Sequence, residues 1–155
     1  MPSYEHEIYW PQIQILAESG KDAEIDQWIA KLPDLKEQVA LYRFAVRGLM
    51  FRAWSGKTMT PVRLLGERAI AVALQLGDKE EANVICYNMS ANLADCWDDG
   101  FQRSPQDFRK GLEYAERALA YREELKKGPT PFSLAHWAKK RNVRLRRKRM
   151  RAPIS

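Results

Sequence analysis

Residues 34–61 read DLKEQVALYRFAVRGLMFRAWSGKTMTP, and residues 78–105 read DKEEANVICYNMSANLADCWDDGFQRSP. Shifted by 44 positions, they place Asp34 on Asp78, Glu37 on Glu81, Leu49 on Leu93, Gly56 on Gly100 and Thr60-Pro61 on Ser104-Pro105. Each stretch opens with an acid and a Glu three residues later, the spacing of a capping box at a helix start. Apolar residues then recur at three- and four-residue steps, the period of a core-facing helix stripe. In the first stretch they are Leu35, Val39, Tyr42, Val46, Leu49 and Ala53; in the second, Ala82, Ile85, Met89, Leu93 and Cys96. A glycine stops each helix, and Thr-Pro or Ser-Pro opens the next. The unit is helix–turn–helix, and it occurs twice.

Outward from these stretches the same punctuation continues. The helix opened by Thr60-Pro61 carries Leu65, Ala69, Val72 and Leu76 on one face and stops at Gly77. The helix opened by Ser104-Pro105 carries Phe108, Leu112, Ala115 and Leu119 and stops at Gly128-Pro129. A shift of 49 brings Glu67-Arg68-Ala69-Ile70-Ala71 onto Glu116-Arg117-Ala118-Leu119-Ala120. Upstream, Pro11 and Gly20 bound a helix over Trp10–Ser19, and Pro33 ends a second over Asp22–Leu32. Downstream, Thr130-Pro131 opens a seventh. Strand-like alternation is missing, so the expected class is all-α with about seven helices. The expected segments are an N-terminal helical pair at 1–33, repeats at 34–138 and a basic helix or tail at 139–155, within one structural domain.

At this point a family resemblance enters. Glu116-Arg117-Ala118-Leu119, with small residues Gly111 and Ala118 seven apart, resembles the second helix of a tetratricopeptide (TPR) repeat. Gly66, Ala69, Ala71 and Ala73 give the preceding unit a similar texture, and such residues let neighbouring helices approach closely. The resemblance implies antiparallel helix pairs stacked into a right-handed superhelix, and a protein or peptide partner held in its groove. The period of 44 or more departs from the family's, as does the missing Trp…Leu-Gly…Tyr set. A HEAT-type repeat and an ordinary helical bundle share the remaining features.

The composition narrows the class further. A chain of 155 residues with 45% apolar content and five Trp can bury a core and is not of the disordered kind. Met-Pro-Ser-Tyr-Glu-His-Glu carries charge where a secretion signal has an apolar run. The longest apolar run, Ala69 to Leu74, is too short for a bilayer. A cytoplasmic protein with no membrane span is therefore expected.

Chemistry-bearing patterns are sparse. Ser55-Gly56-Lys57-Thr58 has the end of a phosphate-binding loop, but Phe51 stands where its first glycine belongs and a helix precedes it. His6 and His136 have no nucleophile at a pairing distance in sequence. Asp95, Asp98 and Asp99 lack the twelve-residue ligand pattern of a calcium loop. Cys86 and Cys96 read as buried small hydrophobes. No cofactor, metal or enzymatic activity is expected.

Charge supplies the candidate binding residues. Residues 139–151 hold nine basic residues and no acid, while the other 142 residues hold 17 basic and 20 acidic. Within that segment Arg141, Arg144, Arg147, Lys148 and Arg151 are candidate contacts to an anion or to nucleic-acid phosphates. A solvated terminal cap is the plainer reading of the same charges. On the repeat helices, setting the apolar stripes aside leaves Arg43 with Arg47 on one helix and Asn88 with Asn92 on the next. Aligning Thr130 with Asp78 puts Lys140 and Arg144 at the Asn88 and Asn92 positions. These residues are the expected groove contacts to a partner, including an acidic one; ordinary polar helix faces are the alternative.

Overall fold

The computed structural model describes residues 4–94 and 99–125. Every regular element among them is an α-helix: α1 (Tyr4–Glu7), α2 (Trp10–Glu18), α3 (Asp22–Ala30), α4 (Leu35–Phe51), α5 (Met59–Gln75), α6 (Lys79–Asn92) and α7 (Pro105–Glu124). The four-residue α1 has no counterpart in the sequence reading. The helix expected from Thr130 lies outside the described residues. No described helix is long and apolar enough to cross a membrane.

The breaks fall where backbone chemistry requires them. Gly20 (φ +70°) and Gly77 (φ +73°) take the left-handed conformation that L side chains resist. Each completes a two-bond helix ending. Lys21 N–H donates to Leu16 O (2.8 Å) and Gly20 N–H to Ala17 O (3.1 Å); Asp78 N–H donates to Ala73 O and Gly77 N–H to Leu74 O, both 2.9 Å. Helix starts differ in part from expectation. Asp34 caps α4 through the backbone N–H of Lys36 (2.9 Å), one residue short of the reciprocal box read with Glu37. The reciprocal box forms instead at α7, between Ser104 and Asp107.

The described residues form two compact units. The first contains α1–α5 together with Asp99–Phe101. In it α4 and α5 pack along each other, with α2 against α4 and α3 against both. Ile25, Ile29, Leu41, Tyr42, Ala45, Leu49, Leu65, Ala69 and Ile70 are buried at its centre. Full burial of each larger aliphatic stabilises by about 1.5–3 kcal/mol. A polar clamp crosses this core: the Tyr42 hydroxyl donates to Asp26 Oδ1 (2.6 Å) and Arg68 Nε donates to Asp26 Oδ2 (3.0 Å). It joins α3, α4 and α5. Buried Gln38 closes the end of α3 by donating to Leu32 O (2.6 Å) and Ala30 O (3.3 Å).

The second unit contains α6 and α7, packed antiparallel. Lys79 at the start of α6 pairs with Glu124 at the end of α7 (3.1 Å). At the other end, buried Arg103 donates to Asn92 O from Nε (3.1 Å) and Nη2 (2.6 Å), a cation on the negative end of α6. Ala82, Ile85, Met89 and Leu93 are buried as the stripe required. On α7 the expected Phe108 and Ala115 are buried, together with Asp107, Gly111, Tyr114, Ala118 and Arg122, whereas Leu112 and Leu119 are half-buried. In the first unit Ala53 and Leu76 likewise face outward, contrary to the stripe.

Candidate functional site

The expected groove residues divide between the units, Arg43 and Arg47 on α4 and Asn88 and Asn92 on α6. Arg43 is half-buried and Arg47 exposed; Asn88 is exposed and Asn92 half-buried. The carbonyl of Asn92 is the acceptor for Arg103, so that residue also ends a helix. Lys140, Arg141, Arg144, Arg147, Lys148 and Arg151 lie outside the described residues.

Around Arg43 and Arg47 the structure assembles a larger face. α4 buries Gln38, Val39, Leu41, Tyr42, Ala45, Leu49 and Met50. Among the residues left unburied, Lys36, Ala40, Arg43, Arg47 and Phe51 recur at steps of four, three, four and four, with exposed Glu37 and half-buried Leu35, Phe44 and Val46 beside the row. Lys36, Ala40 and Arg47 are exposed, and Phe51 is 76% exposed. Lys36 and Arg47 have no ion-pair partner among the described residues. The face runs about 22 Å along the helix. It carries three cations, a small residue one turn from its start and a solvated aromatic ring at its far end, with no acid at any of the five positions. The sequence reading found the two arginines but not Phe51, because an apolar residue next to a buried stripe is ordinarily counted with it. The step pattern from Lys36 was the available signal.

Beyond Phe51 the face ends in an ordered cluster. The Arg52 guanidinium lies 5.3 Å from the ring centres of both Trp10 and Phe44 and pairs with Glu7. The Arg52 hydrogen bond holds the Glu7 carboxyl below its ordinary range. The His6 ring is 5.6 Å from Phe44, and Tyr9 meets Trp28 edge-on at 5.2 Å. The Trp10 ring lies directly on Gly48, where an added side chain would collide with it. Gln14 and Glu18 of α2 hold the chain after α4, through Ala53 O (3.5 Å) and Ser55 N–H (2.7 Å). This end of α4 is therefore fixed from several sides, and Phe51 is presented from a rigid support.

The other sequence candidates take structural places. Ser55-Gly56-Lys57-Thr58 is the turn between α4 and α5, with Gly56 at φ +99° and Lys57 at φ +38°. Lys57 Nζ donates to Asp99 O (3.4 Å) and lies over the Phe101 ring, which meets buried Trp54 edge-on. Asp99 Oδ1 accepts from Phe101 N–H (3.1 Å). Cys86 is buried on α6. Cys96, Asp95, Asp98 and His136 lie outside the described residues. The chain matches no protein-family model, and neither a curated protein nor a solved structure is significantly similar to it.

Proposed function

We propose that the protein is a non-catalytic adaptor that takes up an acidic protein or peptide segment on the outward face of α4. The observation that carries this is the row Lys36, Ala40, Arg43, Arg47 and Phe51. Cations along such a row steer an acidic partner and fix its register. Covering Phe51 supplies apolar burial of about 1.5–3 kcal/mol. In this reading the helix pairs are TPR-like and stack as a right-handed superhelix. Asn88, Asn92 and Lys140 then serve the same partner from later pairs. The shared start of α4 and α6, at residues 35 and 79, and the left-handed glycines at 56 and 100 support treating the pairs as repeats.

The charge of residues 139–151 favours a second reading, in which that segment holds nucleic-acid phosphates. One titration separates the two. Fluorescence anisotropy is measured with a labelled amphipathic peptide bearing glutamates at four-residue steps, and with labelled RNA and duplex DNA. Combined Arg43→Ala, Arg47→Ala and Phe51→Ala substitutions are expected to weaken the peptide by about tenfold or more, the equivalent of ~1.4 kcal/mol, and to spare nucleic acid. Neutralising Arg144, Arg147, Lys148 and Arg151 tests the second reading. That variant would lose a salt-dependent affinity for duplex DNA whose log–log slope is about −0.9 per phosphate contact. Peptide affinity unchanged by the triple substitution refutes the α4 reading.

A further inference from the structure

The three most exposed large apolar side chains among the described residues are Phe51 (76%), Ile8 (73%) and Ile15 (61%). Phe51 ends α4, Ile15 lies on α2 and Ile8 precedes it. Single exposed apolar residues are ordinary on a protein surface, so their mutual placement decides their meaning.

The contacts between α2 and α4 fix that placement. Trp10 lies on Gly48, Gln14 donates to Ala53 O (3.5 Å) and Glu18 accepts from Ser55 N–H (2.7 Å). The two segments therefore run side by side in the same direction. Each helical residue turns the chain by about 100°. Pro11 and Ile15 follow the contact residues Trp10 and Gln14 by one step, and Arg47 and Phe51 precede Gly48 and Arg52, which meet Trp10, by one step. Between helices that run alike, one step forward on the first and one step back on the second turn toward the same side. Pro11, Ile15, Arg47 and Phe51 thus share one side of the pair, and all four are exposed. Packed helix axes lie about 8–10 Å apart, close enough for one large side chain to touch both walls.

This side is apolar at its end, and Arg47, Arg43 and Lys36 continue from Phe51 along α4. The acids at the α2 edge are engaged, Glu7 by Arg52 and Glu18 by Ser55 N–H. We infer that the acidic partner segment carries an apolar anchor, a Leu, Met or aromatic residue beyond its last acid, which sits across Phe51, Pro11 and Ile15. The inference rests on the proposed role of α4 and adds α2 as a second wall. Charge complementarity selects this occupant. A second copy of the chain meeting the same side would bring its own cationic row against this one, and like charges so placed repel. The cations steer and set the register, whereas the covered apolar surface supplies affinity that salt does not screen.

The test uses the full chain and three labelled peptides of equal charge, read by fluorescence anisotropy at low and high salt. One carries the glutamates alone. The others add a leucine pair one turn beyond the last glutamate, at the N-terminal or the C-terminal end. One anchored peptide should bind the parent about tenfold tighter than the plain one, the yield of covering about one large apolar side chain. That ratio should persist at high salt while both affinities fall. Ile15→Ser should remove most of the ratio and Ile15→Leu should retain it, both with the circular dichroism of the parent because the side chain is largely exposed. Equal binding of all three peptides, still dependent on Arg43 and Arg47, overturns the anchor and spares the α4 reading. No binding of any peptide by the parent refutes both. A ratio unchanged in Ile15→Ser, with self-association or adhesion to anionic lipid vesicles lost instead, assigns the patch to a second copy or a membrane and also overturns the anchor.

Discussion

Replacing Gly48 by alanine would place a methyl group 2.6 Å from Cζ3 and 2.8 Å from Cε3 of Trp10. Neither distance is tolerated, so the indole or the helix must move. The indole is not free to do so, because the Arg52 guanidinium sits over it and Arg52 is in turn tied to Glu7. Overpacking of this kind costs about 1–3 kcal/mol. Against it stands the gain from removing a glycine within a helix, about 0.5–1 kcal/mol. The expected net effect of Gly48→Ala is a loss of up to about 2.5 kcal/mol, the difference of those ranges. The sign should reverse when the ring is gone. In a Trp10→Ala background only the helix gain remains, so Gly48→Ala should then stabilise by about 0.5–1 kcal/mol. Urea unfolding of the four proteins, followed by far-ultraviolet circular dichroism, closes the double-mutant cycle, and Trp10→Leu provides a second background. The coupling should be about 1–3 kcal/mol, within the range found for residues in contact. Equal effects of Gly48→Ala in all backgrounds would refute the packing of α2 on α4.

Two other outcomes follow from the core. Tyr42→Phe should cost about 1.5–3 kcal/mol at neutral pH, because it removes a hydrogen bond to a carboxylate. The Tyr42 phenol is pushed up by burial, then by its bond to Asp26. A raised folded-state value means the stabilisation is whole below the ordinary phenol range and is lost as pH rises above it. The parent should therefore lose urea resistance above about pH 10 more steeply than Tyr42→Phe, and parallel curves would count against the clamp. Ala118→Trp and Ala69→Trp insert a large ring where each alanine is fully buried. Each should destabilise by about 1–3 kcal/mol or more, and unchanged melting of both would contradict the close seams.

What could be read from the sequence was mainly punctuation. Pro11, Gly20, Gly77 and the pairing of Gly56 with Gly100 reflect backbone requirements that act locally, and each lies where the chain turns. Burial was harder, because period counting favours long aliphatic residues. On α7 the small residues Gly111 and Ala118 are buried beside Phe108 and Ala115, while Leu112 and Leu119 stay half-buried. Residues 35–51 show the same difficulty in another form. Neighbours cover α4 on several sides, so Leu41, Ala45 and Met50 are buried beside the stripe, and the binding face could be recognised only as its remainder. Arg103 and Arg122 carry no sequence signal that sets them apart from other arginines, yet both are buried. Phe51 was missed for the converse reason. Its exposure depends on how α4 is covered, which its own neighbours do not specify.

Reversing the charge of the α4 face tests the proposed role most directly. Arg43→Glu with Arg47→Glu leaves the buried side of the helix untouched and turns the outward row from cationic to acidic. The acidic amphipathic peptide and its mirror, with each glutamate replaced by lysine, are titrated against both proteins by fluorescence anisotropy. The parent should bind the acidic peptide and not the basic one, and the charge-reversed protein should prefer the basic peptide. If the reversed protein still prefers the acidic peptide, or if both proteins bind both peptides alike, α4 is not the surface that takes up the partner.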